Sequence, residues 1–213
     1  MLSFTSSLDK NIDALAIFVN EKYGYKDGKG VLPSDIVKKL NLHIDSLKDK
    51  NEEGEITSFD ISAKKKCFVI KISKKHTSYF PQEQGGSFFT SLKQYKKISN
   101  INLYPDSLNF DNNKLVSFFS QFIFGFNLKS YTFNKYKTLN KEKINKKINF
   151  KLLTSHKEKI NSKYKYYDAI KEGVFLSRDL VSEPPNVLNP KKYTEEIKKL
   201  SKLGLKVDVL NEA

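Results

Sequence analysis

Short apolar runs spaced along the first 105 residues predict the strands of a sheet. Each run is rich in β-branched or aromatic residues and is bounded by polar or turn-forming residues, which is typical of strands. The runs are IDALAIFV (12–19), ITSFDIS (56–62), CFVIKIS (67–73) and INLYP (101–105). The first and third are almost continuously apolar, which indicates strands that are buried on both faces.

Helical patterns lie between and after these strands. The sequence Pro33-Ser34-Asp35 followed by IVKKL predicts a short helix or capped turn, and residues 82–98 predict a second helix. The clearest helix follows Asp111 or Asn112, either of which can cap it. Its apolar residues recur with a period of 3.6: Leu115, Phe118, Phe119, Phe122, Ile123 and Phe126. Helices that arrive between strands predict an α/β fold, in which helices cover a mixed or mostly parallel sheet.

The last 48 residues have a different pattern. Residues 166–183 predict a long helix whose broad apolar surface indicates packing on more than one side, and Pro184-Pro185 ends it. Asn189-Pro190 then begins another helix, with Asn as the cap and Pro in the first turn. LKVDVL (205–210) follows Gly204 and alternates like a strand.

Residues 186–213 therefore predict a helix–Gly–strand unit of the kind that opens an α/β layer. The unit is shorter than the roughly 40 residues that a domain needs to fold alone. We expect from this that the chain stops soon after a second domain begins. An alternative stays open, in which the strand joins the first domain's sheet.

The net charge of +14 is concentrated in one segment. Residues 134–165 contain 11 Lys and 2 acidic residues. Their INFKLLT (148–154) predicts an edge strand, since lysines protect exposed edges. The segment is either a solvated surface or a basic surface for nucleic acid, and tyrosines in or near it could stack on bases: Tyr131, Tyr136, Tyr164, Tyr166 and Tyr167. Part of the lysine excess is also typical of AT-rich coding sequence.

The sequence contains no common catalytic motif, such as HExxH, a P-loop, GxGxxG after a strand, GxSxG or CxxC. We therefore assign no catalytic, metal or cofactor-binding residue. Three kinds of residue that can carry chemistry are expected in structural roles instead: a core position for Cys67, surface positions for the three histidines, and a turn for an acidic cluster. The histidines are His43, His76 and His156, and the cluster is Glu52, Glu53 and Glu55.

Two further signals set broad limits. Gly85-Gly86 could approach a phosphate at a helix N-terminus, but two glycines are a weak signal. A single cysteine excludes an internal disulfide framework and a Cys-based zinc cluster. The sequence shows no membrane-spanning run and no signal peptide at its start, so we expect a cytoplasmic protein without a membrane partner.

The segment LSRDLVSEPPNVLNP (176–190) contains the only arginine of the chain and resembles the interdomain helix and loop of leucyl aminopeptidases (cytosol aminopeptidases). The resemblance rests on Gly173, Arg178-Asp179-Leu180, Pro184-Pro185-Asn186 and Pro190. GFNLKSYTFNKYKT (125–138) and LGLKVDVLNE (203–212) are also similar to segments of this family. Weaker matches fall in the same order: Asp13 in the early strand, Gly54-Glu55 and Gly85-Gly86.

The resemblance implies an N-terminal domain like a macro domain over residues 1–155, a linker and interdomain helix over 156–185, and the start of a truncated catalytic domain over 186–213. It implies a whole enzyme with two divalent metals, manganese or zinc, that activate water to release N-terminal residues, preferentially leucine, from peptides. It also implies a homo-hexamer. The family's metal ligands match positions beyond Ala213, so we expect this chain alone to be inactive.

Two further expectations concern a contact and a ligand. We expect Arg178 to contact a carboxylate or carbonyl across the domain junction, because the planar guanidinium group can donate two parallel hydrogen bonds. An ADP-ribose-like ligand in a macro-type pocket is disfavoured, because the chain lacks the Gly-rich loops that we would want for it. The alternative function is a basic nucleic-acid-binding α/β module.

Overall fold

The computed structural model describes residues 2–49, 56–73, 78–138 and 148–210. The chain divides into two compact units, Met1–Ala169 and Ile170–Ala213. The division falls inside one long helix, Lys157–Ser182. The predicted domain boundaries at 155 and 185 stay predictions.

The first unit is built on a six-stranded sheet, which is mixed, as predicted. The strands are β1 (Ser3–Thr5), β2 (Ala14–Asn20), β3 (Ile56–Ser62), β4 (Lys65–Ile72), β5 (Asn100–Tyr104) and β6 (Asn149–Leu153). Their order across the sheet is β1-β6-β5-β2-β4-β3. All neighbouring pairs are parallel except β3 and β4, which form an antiparallel pair.

Helices cover both faces of this sheet. They are α1 (Ser34–Asp49), α2 (Phe80–Lys93), α3 (Asn112–Ser130) and α4 (Lys157–Ser182). Alternate residues of β2 enter two separate cores, because successive side chains of a strand point to opposite faces. Phe18 packs in the core formed with α2, α3 and the start of α4, whereas Ile17 packs in the core formed with α1. The prediction that β2 is buried on both faces is confirmed.

Local sequence accounts for the helix ends that matter most. Asp111 caps α3, since its Oδ1 accepts a hydrogen bond of 2.9 Å from the backbone N–H of Lys114. α1 has 16 residues and is longer than the short helix or turn that was predicted. Its added length is amphipathic: Leu40, Ile44 and Leu47 are buried.

α2 and α3 cross with their backbones in close contact. An added Cβ on Gly85 would lie 1.9 Å from the carbonyl oxygen of Phe122, and one on Gly125 would lie 1.9 Å from the carbonyl oxygen of Gln82. Only glycine fits at either position. Gly85 therefore belongs to a helix crossing inside α2 and not to a phosphate-binding turn that opens the helix, so the phosphate interpretation was wrong.

β6 is not an edge strand, so this prediction was also wrong. It lies between β5 and β1, and β1 forms the edge. The three residues of β1 are too few to show a strand period in the sequence. α4 also begins earlier than predicted, at Lys157, and its first turns bury Ile160 and Tyr164 against the sheet.

The described part of the second unit contains the end of α4, the α-helix α5 (Pro190–Lys198) and a 3₁₀ helix, Lys199–Leu203, that follows it directly. Asn189 caps α5 as predicted, with its Oδ1 3.0 Å from the backbone nitrogen of Lys192. Gly204 takes the left-handed conformation, with φ of 87°. Residues 205–210 are not a strand, contrary to the prediction. A strand needs neighbouring backbone to pair with, and the described residues of the second unit include no strand.

Candidate functional site

Ligands of open α/β sheets commonly bind at the carboxyl ends of the parallel strands. Here the chain's own loops are tied to these ends. The backbone N–H of Gly28, in the loop after β2, donates to the hydroxyl of Tyr104 at the end of β5, at 3.1 Å. Burial of Tyr104 raises the pKa of that hydroxyl. Lys26 N–H donates to the carbonyl oxygen of Ser107 at 2.8 Å, which fixes the same loop a second time.

A polar cluster follows the carboxyl ends of β5 and β6. Asp106 accepts hydrogen bonds from the backbone N–H and the hydroxyl of Ser155, both at 2.9 Å, and from the hydroxyl of Thr154. His156 Nδ1 lies 3.4 Å from an Asp106 oxygen, and its Nε2 lies 2.8 Å from Asn112 Oδ1. The cluster ties the start of α4 to the β5–α3 connection.

This cluster contains Ser, His and Asp, but its geometry does not suit nucleophilic catalysis. In a catalytic triad, the histidine stands between serine and aspartate and uses a different ring nitrogen for each. Here Ser155 Oγ donates directly to Asp106 and lies 3.2 Å from the same His156 nitrogen that faces Asp106. The serine hydroxyl therefore donates its hydrogen bond to the carboxylate, and the role of the cluster is structural.

A second polar feature lies at the amino ends of the strands. A cleft of about 260 Å³ is lined by residues that include Asp9, Asn102 and Lys151. Asn102 is buried and exchanges two hydrogen bonds with Asp9, and Lys151 Nζ lies 3.2 Å from Asp9. The hydrogen bond from Asn102 and the charge of Lys151 lower the pKa of Asp9. These side chains therefore bind one another, although Asp9 and Asn102 are 93 residues apart in the sequence.

The residues that the sequence singled out do not converge. Cys67 is fully buried, and burial raises the pKa of its thiol. His43 is half-buried at α1, with Nε2 3.1 Å from Thr57 Oγ1. His156 joins the cluster at Asp106 and is only partly exposed. His76 and the acidic cluster of Glu52, Glu53 and Glu55 lie outside the described residues.

Neither a metal centre nor a membrane span is found in the described ranges. In residues 2–49, 56–73, 78–138 and 148–210, no three His, Cys, Asp or Glu side chains are placed to hold a metal ion. None of the helices described combines the length and apolar character that crossing a bilayer requires.

The segment with the double proline lies in the second unit. α4 ends at Ser182, two residues before Pro184, as the prolines predict. Arg178 is exposed on this last part of α4, and Val181 is 88% exposed. The predicted partner of Arg178 across a domain junction stays a prediction.

Comparison with curated proteins identifies similar sequences. The chain is 30% identical over 164 residues to the "Probable cytosol aminopeptidase" of Wolbachia pipientis wMel, which covers 75% of this chain and 31% of the relative. It is 34% identical over 131 residues to the protein of the same name from Phytoplasma mali, covering 60% of this chain and 26% of that relative. The chain thus spans about a quarter to a third of the length of these relatives. No family model matches it.

Solved structures share the fold. A mutant of tomato leucine aminopeptidase superposes with a TM-score of 0.71 at 20% identity, over 95% of this chain and 42% of that chain. The bottromycin maturation enzyme BotP in complex with Mn gives a TM-score of 0.58 at 13% identity, over 90% of this chain and 36% of that chain. The similarity to the tomato enzyme thus includes nearly all of the present fold.

Proposed function

Because the chain belongs to the leucyl aminopeptidase family, we propose that it is the N-terminal portion of a leucyl-type metalloaminopeptidase. The whole enzyme would hydrolyse peptides from their N-terminus, preferentially at leucine, in the cytoplasm and as a homo-hexamer. The observation that carries this proposal is the 30% identity to the Wolbachia relative, because it extends over 75% of the chain. The shared fold with tomato leucine aminopeptidase supports it.

The proposed reaction uses two divalent metals, manganese or zinc, which polarise the scissile carbonyl and supply an activated water. Among the described residues, no three suitable side chains converge to form such a centre. Following the resemblance to leucyl aminopeptidases, we propose that the metal ligands match positions beyond Ala213. The Mn bound to BotP supports manganese as the first metal to test.

An assay of the chain alone tests the proposal that the catalytic groups lie outside it. The 213-residue protein is incubated with leucine 4-nitroanilide and MnCl₂, or with ZnCl₂, and release of nitroaniline is followed. We expect no release above the rate without protein. Turnover that rises in proportion to protein concentration would contradict the placement of the catalytic groups outside the chain.

A chimera tests the other half. Residues 1–213 replace the matched N-terminal part of the Wolbachia relative, and hydrolysis of leucine 4-nitroanilide is measured with MnCl₂. We expect turnover within about tenfold of the parent enzyme, and none from a matched chimera with Gly85→Val, which should disrupt the α2–α3 crossing. A folded chimera without activity would count against the assignment to this enzyme class.

A further inference from the structure

The first three turns of α4 form a basic face beside the start of α3. Lys159 and Lys163 are one turn apart and line a shallow groove of about 530 Å³. Asn113 and Val116 of α3 line the opposite side, and Ser162 and Glu158 complete the groove. The groove thus offers two ammonium groups, an amide and a hydroxyl, against one carboxylate.

The lysines of this face are available to a ligand. Neither Lys159 nor Lys163 forms an ion pair with another residue in the described ranges, and both are exposed. Lys157 and Lys165 flank them and are also exposed. Residues 148–165 contain five lysines and one glutamate, so the local net charge is +4. Such a surface attracts phosphate groups.

An exposed aromatic ring extends the same helix face. Tyr166 follows Lys163 by three residues and Lys159 by seven, and this spacing places the three on one side of α4. Its side chain is 68% exposed. Tyr167 supports it edge-on, with ring centroids 5.4 Å apart, and packs against Phe124 of α3 at 5.3 Å. The ring is therefore held in place while it remains open to solvent.

We propose that this face binds single-stranded nucleic acid. Lys159 and Lys163 would contact successive phosphates, and Tyr166 would stack on a base. Stacking on a side chain needs an unpaired base, which favours a single strand over a duplex. The seven-residue step from Lys159 to Tyr166 spans about 10 Å along α4, so the two lysines and the ring are close enough to contact one short stretch of a single strand. This proposal is independent of the aminopeptidase assignment.

The test uses a fluorescently labelled oligothymidylate of 15 nucleotides. Its fluorescence anisotropy is titrated with the 213-residue protein at several NaCl concentrations between 20 and 200 mM. The double variant Lys159→Gln/Lys163→Gln should weaken binding at least tenfold. The slope of log affinity against log salt should become shallower by about 1.4, because each phosphate contact on a single strand contributes ~0.7.

Matched variants separate the site from net charge. Lys38→Gln/Lys96→Gln removes the same charge from exposed positions elsewhere, and should change affinity less than twofold. Tyr166→Ala should weaken binding by about 5- to 150-fold, the range for loss of one stacked base, while Tyr166→Phe should retain binding. Because all these side chains are exposed, each variant should unfold at the wild-type temperature.

Three outcomes would overturn the proposal. The first is undetectable binding of the oligothymidylate at 20 mM NaCl. The second is an equal loss of affinity in the two double-lysine variants, which would mean that only net charge matters. The third is binding of a blunt duplex as tightly as of the single strand, together with no effect of Tyr166→Ala, which would remove the stacking role.

Discussion

Two adjacent glycines of α2 should respond to alanine in opposite directions. At Gly85, a Cβ would lie 1.9 Å from the Phe122 carbonyl oxygen, whereas ordinary contact begins at 3.4 Å. The helices must separate locally by about 1.5 Å, and the obstacle is backbone, which cannot rotate away. Overpacking costs up to ~3 kcal/mol, and alanine's higher helix propensity returns ~1 kcal/mol. We expect Gly85→Ala to lower the free energy of unfolding by about 2 kcal/mol.

Gly86 is the matched control. The atom nearest to a methyl group added at Gly86 would lie 3.8 Å away, so alanine fits without strain. We expect Gly86→Ala to raise the free energy of unfolding by about 0.5–1 kcal/mol. Urea titration followed by circular dichroism at 222 nm measures both variants. The reasoning about backbone contact fails if Gly85→Ala is as stable as wild type, or if Gly86→Ala is destabilised as much as Gly85→Ala.

Three further predictions concern a buried hydroxyl, a partly exposed carboxylate and a buried thiol. Ser107→Ala should lower the free energy of unfolding by about 1–3 kcal/mol, since its buried hydroxyl accepts from Phe18 N–H at 2.9 Å; wild-type stability in urea would contradict this. The pKa of Asp9 is lower in the folded chain, through Asn102 and then Lys151, so its stabilisation is complete above about pH 4 and disappears as the pH falls through the folded pKa. The stability difference from Asp9→Asn should therefore shrink on acidification, and a constant difference from pH 7 to pH 2.5 would exclude this linkage. Burial raises the pKa of the Cys67 thiol, so Ellman's reagent at pH 8 should label it only in urea; rapid labelling of the native chain would show that the thiol is accessible.

Local sequence correctly predicted the helices and strands whose hydrophobic pattern and capping residues lie within the element or next to it. β2 and α3 are long and periodic, and Asp111, Asn189 and the double proline fix helix ends by steric and hydrogen-bonding effects within a few residues. The position of β6 was mispredicted because it depends on β1, which lies nearly 150 residues away. Residues 205–210 alternate like a strand, but alternation without a neighbouring strand does not produce one.

The polar clusters could not be predicted for a related reason. Asp106 and Ser155 are 49 residues apart in the sequence, and Asp9 and Asn102 are 93 residues apart. The residues adjacent to each of them in the sequence give no sign of a special role. Only the parallel topology brings them together. The family, in contrast, was predicted mainly from a resemblance in residues 176–190, which lie in the unit where no described residue is fully buried.

The pairing of β1 with β6 also determines when this sheet can be completed. Ser3 pairs with Lys151, so β1 waits for a strand that is synthesised nearly 150 residues later. β2, at the centre, likewise needs β5 before both its edges are paired. Contacts so distant in sequence slow folding, since the loop entropy is lost before pairing compensates for it. The nascent chain therefore carries the apolar β2 with an unpaired edge until β5 has been synthesised, a period in which association with other chains competes with folding.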